Sequence, residues 1–261
     1  MKIFFYLILL LSLNTFAQNN LFEIEYGCTR TLNFKVQTND VLYFDVNKNI
    51  SYYREGEFIT VEEPDFSKLP SNAILIKEIK IPNRSYVYTI FNKKKVIESL
   101  KPYQNYYLCQ EKLPEIVWDI ANETKNIEGI ELTKATTHFR GRNYEVWFSY
   151  EYPISIGPWK FQGLPGLIFE VVDLSDRFNF HWQLKKISNK KGVLPFTGKN
   201  LTNVITFQEL LQNFKEEQMN EADLIMSRSG LEFEPTPLEE KEKSFMNYRQ
   251  LKREIKYEWE Q

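Results

Sequence analysis

Few side chains in this 261-residue chain have the types and spacing that chemistry requires. The only histidines are His138 and His181, and the carboxyl groups of Asp173 and Asp176 lie near His181 in the sequence. Imidazole and carboxylate together suit zinc, but neither histidine belongs to an H-E-x-x-H or C-x-x-C type of spacing. We therefore expect two solvated surface histidines, no metal site and no bound cofactor.

Motifs for a nucleophile or a nucleotide do not occur either. The sequence contains no G-x-S-x-G, P-loop or dinucleotide fingerprint. Cys109 follows Tyr106-Tyr107-Leu108, and such apolar surroundings suit a core thiol better than an activated thiolate. No catalytic residue is predicted, and an envelope hydrolase with a dispersed site is the less favoured alternative.

Four side chains are candidates for binding. Arg140 and Arg142 flank Gly141 and could hold an anion, although the same pattern is typical of an exposed turn. Trp159 and Phe161 belong to a long connection, and ordered long loops often carry function. An exposed aromatic patch that included Trp159 would indicate a protein partner.

The first seventeen residues have the layout of a secretory signal peptide. Lys2 precedes an apolar run over residues 3–13, and the small residue Ala17 marks the expected cut. The run is shorter than the roughly 20 residues of a membrane anchor. We expect cleavage after Ala17, no transmembrane segment in residues 18–261, and a location in the periplasm, at the outer membrane or outside the cell.

Charge argues against nucleic acid as a partner. The whole chain has 33 basic and 35 acidic side chains, a net charge of -2. Loss of residues 1–17 removes Lys2 and no acidic residue, so the net charge falls by one further unit. A balance of this kind does not predict binding to nucleic acid or to an anionic membrane.

Cys28 and Cys109 are the only cysteines. An oxidising compartment permits a disulfide between them. Both positions, one after a first strand and one at the end of an aromatic strand, equally suit buried free thiols. The sequence leaves both alternatives open, because the geometry of pairing is not visible in it.

The elements that position these residues are mostly strands. Aromatic residues make up 15 % of the chain and favour β-structure. The clearest period-two alternation runs over 144–152 and 177–184. The other predicted strands are 21–26, 41–46, 50–53, 74–81, 85–91, 103–108, 116–120 and one that starts at Leu167.

The C-terminal quarter has helical patterns. Thr206 to Glu209 and Thr236 to Glu239 both have helix-start signals, and apolar residues follow at helical spacing. The predicted fold class is therefore mainly β (α+β): a curved antiparallel sheet or half-barrel with two C-terminal amphipathic helices. We expect one β-rich domain over 18–261, helical from about residue 204.

The connection at 153–166 is long for a compact domain. Leu164-Pro165-Gly166-Leu167 predicts a type II turn with positive φ at Gly166 and with both leucines facing inwards. The loop is therefore interpreted as a structural latch on the sheet in preference to a binding surface.

Residues 118–173 resemble the central block of the GLPGLI family. The hexapeptide is intact and is preceded by Gly-Pro-Trp-Lys-Phe and by Phe-Arg-Gly-Arg; its residues are Gly163, Leu164, Pro165, Gly166, Leu167 and Ile168. The resemblance implies an exported envelope protein of Bacteroidetes whose biochemical role is unassigned. It supplies no catalytic residues.

Three functions remain. The favoured hypothesis is a non-enzymatic envelope protein that binds a partner or an apolar ligand, supported by the signal peptide, the aromatic excess and the missing catalytic sets. The second is a periplasmic carrier of an apolar ligand, a lipid or a peptide, because a curved sheet around a helix is also the plan of periplasmic lipoprotein carriers, an analogy of architecture only. The third is the envelope hydrolase.

Overall fold

The computed structural model describes thirteen strands. It covers residues 20–31, 35–61, 85–100, 106–176, 178–196, 201–213, 215–216, 237–242, 254 and 256. The strands are β1 (Leu21–Thr31), β2 (Lys35–Asp45), β3 (Ile50–Arg54), β4 (Phe58–Val61), β5 (Tyr86–Ile90), β6 (Lys95–Leu100), β7 (Tyr107–Lys112), β8 (Asp119–Ile127), β9 (Ile130–Phe139), β10 (Arg142–Ser149), β11 (Leu167–Asp173), β12 (Asn179–Lys190) and β13 (Val204–Thr206).

Twelve of these strands form one open sheet in the order β13-β7-β6-β5-β3-β2-β1-β12-β11-β10-β9-β8, and β4 pairs beside them with β2. Every described pair is antiparallel except β13 with β7, which is parallel. The mainly β, antiparallel prediction is therefore confirmed. The predicted strand over 74–81 lies outside the described residues.

The sheet is strongly curved. Arg140, at the end of β9, lies 2.6 Å from Glu111 of β7, although eight strands separate β7 from β9. Nine strand spacings of about 4.8 Å would place these strands about 43 Å apart in a flat sheet. The contact across the concave side therefore requires the sheet to fold over on itself without closing.

The concave side holds the main core. In β12 and the residue before it, Phe178, Phe180 and Trp182 are buried on one face, as the period-two pattern predicts. The 153–166 loop packs inside the curve, where Phe161 is in ring contact with Trp182 at 5.9 Å. The packing that the latch interpretation requires is thus present.

The sheet is covered on both faces at β3, β5 and β6. Tyr53 belongs to the main core, whereas its neighbour Tyr52 belongs to a second apolar cluster with Leu194. Phe196 stacks on Tyr52 at 5.1 Å. These short strands do not alternate between buried and exposed side chains, because Leu194 and Phe196 cover the outer face of the sheet. The central positions of all three strands are therefore buried.

Helical residues are described at 207–213, at 215–216 and at 238–242, and Phe91–Lys93 form a single 3-10 turn. The capping box before the first is confirmed: Glu209 N–H donates to Thr206 Oγ1 at 3.1 Å, and Thr206 N–H donates to Glu209 Oε2 at 2.6 Å. Helical residues 238–242 follow the predicted second start at Pro237. The remainder of the range predicted for the second helix, and the predicted signal peptide at 1–17, lie outside the described residues. Within the described part of the chain, no helix is both long and apolar enough to cross a membrane.

Candidate functional site

Five charged side chains meet inside the curve of the sheet and form what we name the Lys160 cluster. The Lys160 ammonium lies 2.6 Å from Glu98, 2.7 Å from Glu111 and 2.8 Å from Glu254. Arg140 pairs with Glu111 at 2.6 Å and with Glu254 at 3.5 Å. All five side chains are buried. The cluster joins β6, β7, the β9–β10 turn, the 153–166 loop and the C-terminal segment.

Two unusual backbone positions place the cations of the cluster. The Phe161 N–H donates to the Pro158 carbonyl at 3.1 Å, which closes a turn around Trp159 and Lys160. Trp159 has φ +54° and Arg140 has φ +55°, a left-handed conformation that is strained for a bulky residue. The strained turn directs Lys160 between the carboxylates, so surrounding contacts must offset its cost.

The charges of the described residues of the cluster are unequal in number. Three carboxylates face two cations among these residues, and burial makes a net charge costly. Burial raises the pKa of Glu98 from its ordinary 4.5 to about 7, although Lys160 opposes the shift. Burial acts in the same direction on Glu111, but Lys160 and Arg140 outweigh it and lower the pKa of that carboxyl. Glu98 is therefore the member of the cluster that holds a proton near neutral pH.

Lys160 itself stays charged. Burial alone would lower the pKa of the ammonium, but Glu111, Glu254 and Glu98 outweigh it and raise the pKa. Burial also raises the pKa of Cys109, so this sulfur is a thiol and no activated nucleophile. The arrangement can bind a proton and hold five segments together, but it presents neither a free amine nor a thiolate.

The four predicted binding residues are all buried. The exposed fractions are 3 % for Trp159, 2 % for Phe161, 4 % for Arg140 and 2 % for Arg142. Trp159 is therefore not part of an exposed aromatic patch, the feature that would indicate a protein partner, because this ring packs on Phe139 at 5.7 Å. An exposed turn at the two arginines is wrong too, since both guanidinium groups point inwards to carboxylates.

Arg142 has an ion pair of its own, apart from the Lys160 cluster. Its Nη1 donates to Asp173 Oδ2 at 2.8 Å, to the Phe178 carbonyl at 2.6 Å and to Ser175 Oγ at 3.0 Å. Asp173 is thereby committed to a buried arginine and is not available to a metal. Ordinary structural pairing accounts for this site.

The two histidines are not brought together. His138 is exposed on β9 and bonds Asn143 Oδ1 at 2.8 Å. His181 is partly exposed on β12 and lies 2.7 Å from Glu170, whose pKa this hydrogen bond lowers to about 2. Strands β10 and β11 separate the two imidazoles. Among the residues that the structure describes, no group of three His, Cys, Asp or Glu side chains is arranged so that it could hold a metal ion.

Cys28 and Cys109 are both buried and are not joined by a disulfide. Cys28 lies on β1 opposite Thr38 and Trp182, whereas Cys109 lies on β7 opposite Glu98 and Ile205. Four strands separate β1 from β7 in the sheet. The sequence left two alternatives open. The structure contradicts a disulfide between Cys28 and Cys109 and supports two buried, unbridged thiols.

The glycines of the hexapeptide have different tasks from those predicted. The left-handed residue is Gly163, at φ +97°, and Gly166 is not in that region, so the type II turn with positive φ at Gly166 is wrong. A Cβ on Gly166 would lie 2.0 Å from the Ser149 carbonyl oxygen. Gly166 is needed for close approach to the end of β10. Leu164 and Leu167 face inwards as predicted, and both are fully buried.

Sequence reasoning predicted only Arg140 of the Lys160 cluster and missed the three carboxylates and Lys160 itself. Glu98 is the one charged residue in Val-Ile-Glu-Ser-Leu, and Lys160 stands between Trp159 and Phe161. A lone charge among apolar neighbours is the signal that both share. The sequence does not show that these two regions meet. Glu98 accepts a hydrogen bond from Trp159, the neighbour of Lys160, and 61 positions separate Glu98 from Trp159.

A second feature is the end of the sheet at β8. Among the described strands, β8 pairs only with β9, and most of its side chains are exposed. The exposed side chains include two large apolar residues of β8, Ile120 at 43 % and Ile127 at 37 %, and Val117 just before the strand is exposed at 82 %. The opposite end, β13, has only three residues and leads into a helix.

Comparison with known proteins gives one family. The model of a family described as "Protein of unknown function (Porph_ging)" matches residues 140–170, a range that contains the hexapeptide, and confirms the resemblance to the GLPGLI family. No curated protein matches the sequence.

Three solved structures are similar over most of this chain. A PNGF-II structure has 13 % identity and a TM-score of 0.45, with 76 % of this chain and 33 % of that chain covered. An uncharacterized conserved protein from Thermus thermophilus has 7 % identity and a TM-score of 0.38, with 72 % and 90 % covered. The LolA superfamily protein NE2245 from Nitrosomonas europaea has 6 % identity and a TM-score of 0.31, with 70 % and 92 % covered.

This chain spans about a third of the length of the PNGF-II structures that it matches. All of these similarities are low in identity and in superposition. No activity or ligand follows from them for this chain.

Proposed function

We propose that this chain, a relative of the GLPGLI family of unknown function, is an exported cell-envelope protein that acts by binding another protein and not by catalysis. The observation that carries the proposal is the edge strand β8 with its exposed side chains. An open edge has backbone N–H and C=O groups that a strand of a partner can pair with. Exposed Val117 and Ile127 at the two ends add apolar contacts.

The chemistry of the described residues supports binding over catalysis. The carboxyl with the most raised pKa, Glu98, is enclosed in the Lys160 cluster with two cations. Catalytic acids and bases need access to a substrate, whereas this group faces only the chain itself. The signal-peptide pattern at 1–17 supports export, and N-terminal sequencing of the exported chain should begin at Gln18.

Site-specific photo-crosslinking tests the proposal. A photoreactive residue replaces Asn126, an exposed position of β8, and in the matched control it replaces Asn47, an exposed position of the β2–β3 turn. We expect a discrete protein adduct from position 126 in intact cells and none from position 47. Equal labelling at both positions, or no adduct at position 126, would refute binding at β8.

The carrier alternative is tested separately by native mass spectrometry of the exported chain. In the described residues, Trp159, Phe161 and Leu164 of the loop fill the concave side, so a bound apolar ligand would have to displace them. A mass excess that organic solvent removes would favour a carrier. A mass equal to that of the sequence would favour the protein-binding proposal.

A further inference from the structure

The edge strand β8 contains a bulge, but the side chains before and after the bulge keep the same assignment to the two faces of the sheet. Ile120 pairs with Ala135 and Thr124 pairs with Thr133, so β8 advances four residues while β9 advances two. The bulge therefore contains two extra residues, an even number, and does not reverse the faces. Asp119 and Lys125 consequently lie on the same face of the edge.

An antiparallel copy of β8 fits this edge in a register that matches both the charges and the exposed apolar side chains. When Asn122 of each copy lies on the two-fold axis, Asp119 stands opposite Lys125, and exposed Val117 stands opposite exposed Ile127. The symmetry produces each of these pairs twice. A shift that centres the axis on Ala121 would instead place Asp119 opposite Glu123, and like charges directly opposite are destabilising.

The side chains in this register are accessible. Glu123 and Lys125 have side-chain exposures of 58 % and 33 %, and Asp119 and Asn122 are exposed. The Lys125 ammonium also meets Glu170 and lies 4.1 Å from the centre of the Trp147 ring. An ammonium has three donors, so this contact leaves it able to attract a second carboxylate.

We propose that the partner at β8 is a second copy of this chain, paired edge to edge in the antiparallel register centred on Asn122. The inference rests on the proposed function and names its partner. Backbone hydrogen bonds between the two strands supply the attraction, and the paired charges and apolar ends select the register.

Analytical ultracentrifugation of the exported chain is the first test, and a dimer is expected. Asp119→Lys should weaken self-association about tenfold or more, because two repulsive pairs replace two attractive ones. The double variant Asp119→Lys/Lys125→Asp should recover most of the affinity. Reversal of the exposed pair Glu25–Lys186, on β1 and β12, is the matched control and should leave the dimer unchanged.

Cysteine crosslinking tests the register. Asn122→Cys should give a disulfide-linked dimer under mild oxidation, since the residue meets its own copy on the axis. Asn126→Cys should not, because Trp118 stands opposite. A monomeric chain would mean that the bulge prevents pairing at the edge, and this result would overturn the inference. Efficient disulfide linkage through position 126 alone would overturn it too.

The two proposals fail in different ways. A photo-adduct at position 126 with the mass of two copies of this chain supports self-pairing. A monomeric chain that forms an adduct with a different protein refutes self-pairing and leaves the proposed function standing. A monomeric chain without any adduct refutes both.

Discussion

At the scale of residues, the Lys160 cluster is the most unusual feature of the molecule. Buried charges are tolerated only when they are paired and hydrogen-bonded, and the three carboxylates here surround Lys160 within 2.8 Å. Because Arg140 is the only second cation among the described residues of the cluster, proton uptake by Glu98 makes the described charges equal in number. At mildly acidic pH the folded protein thus holds a proton on Glu98 that the unfolded chain has already released.

Replacement of Glu98 by Gln should make the protein more stable in mildly basic solution. The pKa of Glu98 is about 7 in the folded state against 4.5 ordinarily. Between these values only the folded state holds the proton, so the free energy of unfolding falls as the pH rises from 4.5 through 7. Glu98→Gln keeps the shape of the side chain and removes this loss of unfolding free energy, which amounts to about 3 kcal/mol when complete.

Urea denaturation at pH 5 and at pH 8 measures this effect. The gain in unfolding free energy of Glu98→Gln over the native chain should be larger at pH 8 than at pH 5. Glu115→Gln, at an exposed position, should show no such difference. An equal effect of Glu98→Gln at both pH values would contradict proton uptake by Glu98.

At the scale of elements, the 153–166 loop is an internal part of the fold. Its backbone passes so close to β10 that Gly166 has no room for a side chain. Gly157 meets Ile168 in a similar way, with an added Cβ 2.7 Å from the Ile168 side chain. The loop can therefore enter the concave side only because glycines occupy the two positions of close contact, 157 and 166. Trp159, Phe161 and Leu164 supply the apolar side chains that fill the space.

Gly166→Ala should destabilise the protein strongly. The added methyl group would lie 2.0 Å from the Ser149 carbonyl oxygen, and the backbone must move to admit it, at a cost of about 2 kcal/mol or more. Gly129→Asn is the control. Gly129 has φ +87° with open space around it, and Asn tolerates that region, so less than about 1 kcal/mol is expected.

Thermal unfolding followed by circular dichroism compares the two variants. Failure of Gly166→Ala to accumulate as a folded protein would agree with the expectation. A melting temperature within a few degrees of that of Gly129→Asn would contradict the close approach at Gly166.

At the scale of the whole molecule, curvature decides which residues meet. The sheet brings β7 to the end of β9 across the concave side, as the Arg140–Glu111 contact shows. Order along the sheet nevertheless keeps Cys28 and Cys109 on strands separated by four others. The fold is therefore held by packing and ion pairs, and by no disulfide between these thiols.

The protein purified without reductant should contain Cys28 and Cys109 as two thiols that no disulfide joins. Intact mass spectrometry should show no two-hydrogen deficit, and alkylation after unfolding should add two equivalents, because both cysteines are buried and unbridged. Alkylation of the folded protein, as the control, should be slow at both positions. A two-hydrogen deficit with no alkylation would contradict the observed arrangement.

Local patterns in the sequence were enough to predict much of the fold. The alternation in residues 177–184 predicted the buried face of β12, because the period of a strand is a property of the backbone. The Thr206–Glu209 capping box and the inward leucines of the hexapeptide were also predictable, since each involves residues within a few positions of one another. The same holds for the family resemblance at 118–173.

Tertiary structure alone decided the site. Glu98, Glu111, Arg140, Lys160 and Glu254 lie far apart in the sequence, and the curvature that unites them is a property of the whole sheet. Curvature also turned Trp159, Phe161, Arg140 and Arg142 from candidate surface residues into interior ones. The edge at β8 likewise became visible only with the strand order, because pairing is set by contacts between distant segments and not by the composition of the strand itself.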